Sequence, residues 1–283
     1  MSVQAAFAAL LAAPGRLCPE LRRHPDRLAA RYGLSEQELG ILAAVPQAAY
    51  EAMAREVSAK ARVVLGVAMP QTVREAERHH AAALESYLSG TVRTADGDHP
   101  LDAAREGRLF LASPDARFPA DLRDFARLEL RQYELLQDRV AASAARRWEE
   151  IAPGEAAALR RTPERVLRGY PMAPATVRVE VFEHDVTAVG APAEIPAGRT
   201  VVLLHRRWSA PVLTYRVGAG TALLMRLCDG SRTGEEVLEA AEVSRDAGAE
   251  ALGTLAAAGL VVVADPWGRG VEVLLPGPHD GFV

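Results

Sequence analysis

Histidines are the residues of this chain that most often bind metals or transfer protons, and none of them forms a ligand set by spacing. Only His79 and His80 are adjacent, and neighbouring side chains on a helix point about 100° apart, a poor geometry for chelation. His184 stands between Glu183 and Asp185. On a strand, however, both carboxylates face away from the imidazole. The sequence therefore indicates no metal centre in this chain.

Nucleophilic and phosphate-binding motifs are also missing. Cys18 and Cys228 lie far apart and match no metal spacing, and Cys228 falls in an apolar helix where a buried, inert thiol is expected. Gly218-Ala219-Gly220 and Gly268-Arg269-Gly270 lack the second half of a dinucleotide fingerprint, and no Gly-x-Ser-x-Gly elbow occurs. We expect no catalytic residue and no cofactor here, with an enzyme that has its own site as one alternative.

Composition sets the class of protein. The chain has 283 residues, with 33 Lys and Arg against 37 Asp and Glu and a formal net charge of −4. Its 49% hydrophobic and 25% charged residues are typical of a globular protein, and the length suggests about two domains. The longest apolar run, Leu255 to Ala264, is too short to span a bilayer, and Met1 to Gln4 lack the basic region of a signal peptide. We expect a cytoplasmic protein without membrane contact.

The first 160 residues carry helical patterns. Ser35-Glu36-Gln37-Glu38 forms a capping box that opens a helix. Longer helices are predicted at 47–65, 71–88 and 120–148. The helical region is expected to end near Ile151, with Pro153-Gly154 and Thr162-Pro163 as the helix breaks.

The rest of the chain alternates between strand and helix patterns. Val177, Val179 and Val181 alternate with polar residues, as on a half-buried strand. A hairpin follows with strands at 200–205 and 212–217, then three short helices at 221–228, 234–241 and 244–258 and final strands at 260–263 and 271–275. Thr233 is the predicted cap of the second helix, and Gly259 the left-handed cap of the third. This order predicts an α+β protein with an N-terminal helical bundle and a winged-helix domain built on a three-stranded antiparallel sheet.

Two series of residues resemble known families. The C-terminal series is Leu223, Asp229-Gly230, Thr233, Val237, Leu252, Leu255 and Gly259-Leu260. It resembles the winged-helix precursor-peptide recognition element of RiPP biosynthesis. The helical series, Phe118 to Glu129, has the form P-x-x-L-x-x-x-A-R-x-E. It is similar to a helix of the partner subunits of multinuclear non-haem iron-dependent oxidative enzymes, such as the methanobactin-type partner protein, and Leu167, Tyr170-Pro171 and Val201 to Arg206 fit the same pattern.

The opening of the chain departs from that pattern. Pro25 to Leu28 and Leu34 to Leu39 look more like the small helical subunit of the protocatechuate-type ring-opening dioxygenases. The role of the first 45 or so residues is therefore left open.

The resemblance to iron-enzyme partners implies a non-catalytic protein. Such a protein binds the leader of a ribosomally made precursor peptide and presents it to a separate iron-dependent oxidative enzyme in a heterodimer. Iron is then expected in the partner and none in this chain. The implied division is a helical docking domain at 1–165 and a recognition domain at 166–283.

The same resemblance implies that the leader adds as a strand to the edge of the sheet beside the third helix. The implied peptide-binding residues are Val212, Leu213, Thr214, Tyr215, Arg216, Val217, Leu252, Leu255 and Ala256. Leu213, Tyr215 and Val217 share one face of the strand, and Arg216 is expected to neutralise acidic leader residues. Expected contacts with the enzyme are Arg127, Glu129, Arg207 and Trp208.

A winged-helix regulator that binds DNA is the main alternative. It requires a basic recognition helix. The third helix, 244–258, carries Arg245 against Asp246 and Glu250, too little positive charge for several phosphates. Arg206-Arg207-Trp208 at the hairpin tip gives this alternative its best support.

Overall fold

A computed structural model describes residues 2–90, 102–113, 117–161, 164–187 and 195–264. The helices are α1 (Val3–Ala12), α2 (Pro14–Arg23), α3 (Pro25–Tyr32), α4 (Glu36–Ala44), α5 (Gln47–Ala68), α6 (Pro70–His79), α7 (Ala81–Gly90), α8 (Ala103–Ala112), α9 (Ala120–Gln137), α10 (Arg139–Arg161), α11 (Arg165–Arg168), α12 (Ala219–Leu227), α13 (Gly234–Ala240) and α14 (Arg245–Ala257). The strands are β1 (Tyr170–Met172), β2 (Val177–His184), β3 (Ala197–His205), β4 (Leu213–Val217) and β5 (Val262–Ala264). The predicted α+β class is confirmed. The strand predicted at 271–275 lies outside the described residues.

The chain divides into two compact units, the first ending at Leu130 and the second beginning at Arg131. The domain boundary expected from the sequence lies later, near residue 165. The structure groups α10 with the second unit because Ala144 and Trp148 of α10 pack with Val262 of β5. The division of labour between docking and recognition stays a prediction.

The first unit is helical, and its local start signals act as the sequence predicts. Ser35 caps α4 in a capping box, with the Ser35 amide donating to Glu38 Oε2 at 2.8 Å. The helix predicted at 71–88 is wrong as one element, because it breaks at His80 between α6 and α7. The His80 ring meets the Phe118 ring edge-on, with 6.1 Å between centroids.

The helix predicted at 120–148 is also two helices. They separate at Asp138, whose Oδ1 accepts from the amides of Val140 at 2.9 Å and Ala141 at 3.1 Å and so caps α10. Pro153 does not end the helical region as predicted, since α10 continues through it to Arg161. A proline removes one helical hydrogen bond, and a helix with long runs on both sides can tolerate that loss.

The three-stranded sheet has the order β2-β3-β4 and is antiparallel throughout. Its register aligns Val177, His205 and Leu213, then Val179, Leu203 and Tyr215 in the next row of the same face. This face packs on a core formed with α12, α13 and α14. Both predicted strands of the β3–β4 hairpin are confirmed to within a few residues.

The last described strand does not join that sheet. β5 pairs with β1 in a separate antiparallel ribbon, with Pro171 opposite Val263. The final short strand expected at 260–263 forms as β5 and pairs with β1, whereas Leu260, just before it, packs in the same core as Val177 and Leu203 of the three-stranded sheet. Gly259, just before β5, has φ 75°, which confirms the predicted left-handed cap, and a Cβ there would collide with the Trp148 indole.

The second unit also confirms two local expectations. Thr233 caps α13 in a capping box, because its hydroxyl accepts from the Glu236 amide and Glu236 Oε2 accepts from the Thr233 amide at 2.7 Å. Cys228 is buried, and burial raises the pKa of its thiol to about 12. Such a thiol is protonated at neutral pH and is inert.

His205 makes the stability of the sheet depend on pH. The residue is 3% exposed, and burial and the nearby Arg207 lower its pKa from 6.5 to about 4. Protonation therefore favours the unfolded chain, and stability falls as the pH drops from 6.5 toward 4, by about 3 kcal/mol in full. We expect His205→Leu to remove most of this loss, measured as the difference in free energy of unfolding in urea between pH 7.0 and pH 4.5.

Exposed His24 supplies the control for this measurement. His24→Gln should unfold with the same pH dependence as the parent protein. A parent whose stability does not fall between pH 6.5 and pH 4.5, or a His205→Leu variant with an unchanged fall, would contradict the assignment.

Candidate functional site

The outer edge of β4 is the feature of the second unit best suited to bind another chain. β4 lies at the end of the sheet and pairs with β3 alone. Among the described residues, no backbone hydrogen bond joins β4 to anything else. Alternate residues of an edge strand present free N–H and C=O groups, which form a template for an added strand. At the opposite edge of the sheet, residues 181–185 at the end of β2 already have interaction partners.

One face of β4 is apolar. Leu213, Tyr215 and Val217 share it, as predicted by strand alternation, and Val217 packs against the core beneath the sheet. Tyr215 is 39% exposed, so its ring is accessible beside the free edge. Val212, a predicted contact, precedes β4 and is not part of the strand.

The other face of β4 is polar and is engaged within the chain. Thr214 Oγ1 accepts from Gln132 Nε2 of α9 at 2.8 Å. Arg216 Nη1 lies 2.5 Å from Asp185 Oδ2, although the Arg216 side chain is 65% exposed. The cation expected to meet an acidic leader residue thus has a carboxylate partner in its own chain. An incoming acid would compete with Asp185.

The three predicted residues of α14 lie in the core. Leu252, Leu255 and Ala256 are buried and pack with Val237 of α13 and Leu203 of β3. They face inward because their spacing places all three on the apolar side of α14. The structure does not bring them to the surface with β4, and they support the sheet from below.

The tip of the β3–β4 hairpin is attached to α9 and α10 by two opposite charges. Arg206 Nη1 donates to the carbonyl oxygens of Leu135 at 2.9 Å and Asp138 at 2.7 Å, which caps the end of α9. Glu149 Oε1 accepts from the amides of Trp208 at 3.0 Å and Ser209 at 3.1 Å. The hydrogen bond from the Ser209 amide, above all, holds the pKa of Glu149 below its ordinary value.

Of the two predicted contacts at this tip, Trp208 is therefore held through its backbone amide, and Arg207 lies between it and the Arg206 anchor. The Arg146 guanidinium lies 5.9 Å from the centre of the Trp208 ring, and Trp208 remains 53% exposed. Sequence reasoning missed Glu149 and Arg206 as anchors. Both act on backbone groups far away in sequence, and no local pattern marks such bonds.

The two predicted contacts on α9 have different environments. Arg127 is partly exposed, and its Nη2 lies 3.3 Å from Oδ1 of Asp124, a buried residue one turn earlier on the same helix. Glu129 is buried, and its carboxylate accepts from the Gln71 amide at 2.9 Å, the Thr72 amide at 2.8 Å and the Thr72 hydroxyl at 2.7 Å. Burial raises the pKa of Glu129 despite these bonds. Glu129 stabilises the start of α6 from inside the first unit.

Metal-ligating side chains do not cluster in the described parts of the chain, where no group of three or more His, Cys, Asp or Glu could hold an ion. No described helix combines the length and apolarity needed to cross a membrane.

No protein-family model matches the chain, and no curated protein matches it.

Glu149 gives a test of how the hairpin tip is held. Removing its carboxylate in Glu149→Ala leaves the Trp208 and Ser209 amides without acceptors. We expect hydrogen exchange at these two amides to accelerate by about tenfold, because exchange follows local opening. Glu150→Ala is the matched control, since Glu150 pairs instead with Arg146 at 3.8 Å. Equal exchange in the two variants would show that the tip is held in another way.

Glu129 gives a second test, of its structural role. We expect Glu129→Ala to lower the free energy of unfolding by about 3 kcal/mol, because it leaves buried donors of α6 without an acceptor. Glu56→Ala removes an exposed carboxylate that pairs with Lys60 at 2.7 Å, and it should leave the melting temperature unchanged. Calorimetric unfolding measures both variants, and equal melting temperatures for Glu129→Ala and the parent would refute the assigned role.

Proposed function

We propose that this chain is a non-catalytic partner protein that binds the leader of a ribosomally made precursor peptide and presents it to a separate iron-dependent oxidative enzyme. The observation that carries the proposal is the unpaired edge of β4 next to the exposed Tyr215 ring. Strand addition needs an edge with free backbone groups and neighbouring side chains that select the sequence. β4 provides both.

The winged-helix assignment forms part of this proposal. Its support is the order of elements, in which β2, β3 and β4 precede α12, α13 and α14. The three helices pack on one face of the sheet. On the other face, Gln132 and Asp138 bond to Thr214 and Arg178. With side chains engaged on both faces, the edge of the sheet is the route by which a peptide reaches its backbone.

The proposed ligand is an extended segment with alternating character. Residues on one side of the added strand would lie beside Leu213 and Tyr215, and those on the other beside Thr214 and Arg216. An acidic residue there would share the Arg216 guanidinium with Asp185. Ordering a free peptide costs about 2–5 kcal/mol, so the expected affinity is micromolar.

DNA binding gains no support from the geometry of α14. Arg245, its one basic residue, pairs with Glu235 of α13 at 2.6 Å, and Asp246 and Glu250 lie on the same helix. A helix surface on which carboxylates outnumber cations repels the phosphates of DNA. If the chain binds DNA at physiological salt and binds no peptide, the result would favour a DNA-binding regulator over a peptide-binding partner protein.

The decisive experiment is a calorimetric titration of the full chain with a synthetic extended peptide that alternates apolar and acidic residues, the character proposed for the leader. We expect micromolar binding, weakened by about tenfold or more in Tyr215→Asp and in Leu213→Asp, because a buried charge opposes the apolar face. Val181→Asp is the matched control, since Val181 is also 39% exposed but lies on β2. Unchanged affinity in both β4 variants, or equal loss in the control, would refute the β4 site.

Backbone methylation of the peptide tests strand addition itself. In an antiparallel pair, alternate residues of the added strand direct their N–H groups to β4. Methylating one alternate set of peptide nitrogens should abolish binding, and methylating the other set should preserve it. Equal effects of the two sets would exclude a strand-like complex.

A further inference from the structure

The first unit contains an apolar groove that the β4 site does not use. It lies between α1, α4, α5 and α7 and has a volume of about 1300 Å³. Three of its lining side chains are large, apolar and exposed, namely Ile41 at 59%, Val57 at 40% and Val63 at 68%. Contiguous apolar surface of this kind marks an interaction site more often than chance exposure does.

The size of the groove indicates a polypeptide. Small-molecule pockets measure roughly 300–1,000 Å³ and enclose most of their ligand. This groove is larger, and its lining along α5 runs from Glu51 to Val63. Twelve residues of helix rise about 18 Å, or a little over three turns. The occupant therefore contacts α5 over about three turns.

The walls of the groove favour a helical occupant over an extended one. All the elements that line it are helices, whose backbone groups are bonded internally. An extended segment would leave its own N–H and C=O groups facing Ala, Val and Leu side chains, at a cost for each unpaired group. A helix bonds its backbone internally and presents only side chains. An amphipathic helix placed with its apolar face inward is the arrangement that satisfies these walls.

The charged residues on the α5 side of the groove determine which polar side chains the docked helix should carry along its flanks. The lining contains three cations, Arg55, Lys60 and Arg62, against two carboxylates. The Glu85 carboxylate is already paired with Arg62, and Lys60 has only its exposed neighbour Glu56. Arg62 pairs with Glu77 at 3.7 Å as well as with Glu85, and Arg55 is the lining cation without an ion pair among the described residues. Acidic side chains complement this rim.

We propose that the groove docks an amphipathic helix of the modifying enzyme, with its apolar face against Ile41, Val57 and Val63 and acidic residues beside Arg55 and Lys60. The identity of the partner rests on the proposed function. The chemistry of the groove does not. A docked helix would hold the enzyme through side-chain packing in one unit, while the peptide is held through backbone hydrogen bonds in the other.

A synthetic helix tests the groove itself. The probe is a labelled peptide of about 18 residues with Leu on one face and Glu on the flanks, compared with the same peptide carrying Lys on the flanks. Fluorescence anisotropy with the full chain should give micromolar binding of the Glu peptide and at least tenfold weaker binding of the Lys peptide. Failure of the Glu peptide to bind, or equal binding of the two peptides, would overturn the proposal.

Two valines of α5 provide matched variants. Val63 lines the groove, whereas Val67, 56% exposed and one turn further on, does not. Val63→Glu should weaken binding of the Glu peptide by at least tenfold, and Val67→Glu by less than twofold, with unchanged circular dichroism in both. Equal losses of affinity in the two variants would overturn the proposal. So would a parent protein that sediments as a dimer and that Val63→Glu converts to a monomer, because the groove would then bind a second copy of this chain.

The enzyme arm separates this inference from the proposed function. The proposed function predicts that a neighbouring gene encodes the iron-dependent enzyme. That enzyme should co-elute with the parent and with Tyr215→Asp, but not with Val63→Glu, while Val63→Glu retains the precursor peptide. Retention of the enzyme by Val63→Glu would overturn only the groove assignment. If the parent protein binds the Glu peptide but does not bind the precursor peptide, only the proposed function would be overturned.

Discussion

The second unit depends on a reciprocal pair of charges at the tip of the β3–β4 hairpin. Arg206 reaches out from the hairpin to the carbonyl end of α9, and Glu149 reaches back from α10 to the amides of Trp208 and Ser209. Each charge satisfies backbone groups that a helix end or a loop would leave unpaired. Together they attach the hairpin tip, from which β4 continues, to α9 and α10.

This attachment explains how one edge can stay open without making the sheet unstable. A two-stranded hairpin is marginal alone, and an unpaired edge strand invites aggregation. Here the tip is bonded to the helices, Thr214 is bonded to Gln132, and the apolar face packs on α12 to α14. Among the described residues, the outward N–H and C=O groups of β4 have no backbone partner. Such an edge is preorganised, so a peptide that adds to it bears most of the ordering cost itself.

Local signals in the sequence predicted most helices and strands. Features that depend on contacts between distant parts of the chain could not be predicted. Ser35, Thr233 and Gly259 act within a few residues of themselves, so their caps could be predicted. The break at Asp138 and the pairing of β5 with β1 depend on partners elsewhere in the chain. The candidate site divides in the same way. Alternation placed Tyr215 and Leu213 on one face, but periodicity cannot distinguish a helix face that binds a ligand from one that binds the core, and Leu252 belongs to the core.

The two candidate surfaces use different physics, and each is complete within its own unit. Recognition at β4 depends on backbone hydrogen bonds, which tolerate many side chains and suit a peptide whose sequence varies outside a few anchors. Recognition at the helical groove depends on apolar packing with a charged rim, which demands one shape and suits a constant partner. A protein that delivers a peptide to an enzyme needs both kinds of recognition. The open strand edge and the apolar groove provide one surface of each kind, and the assignment of the enzyme to the groove follows from the function proposed for β4.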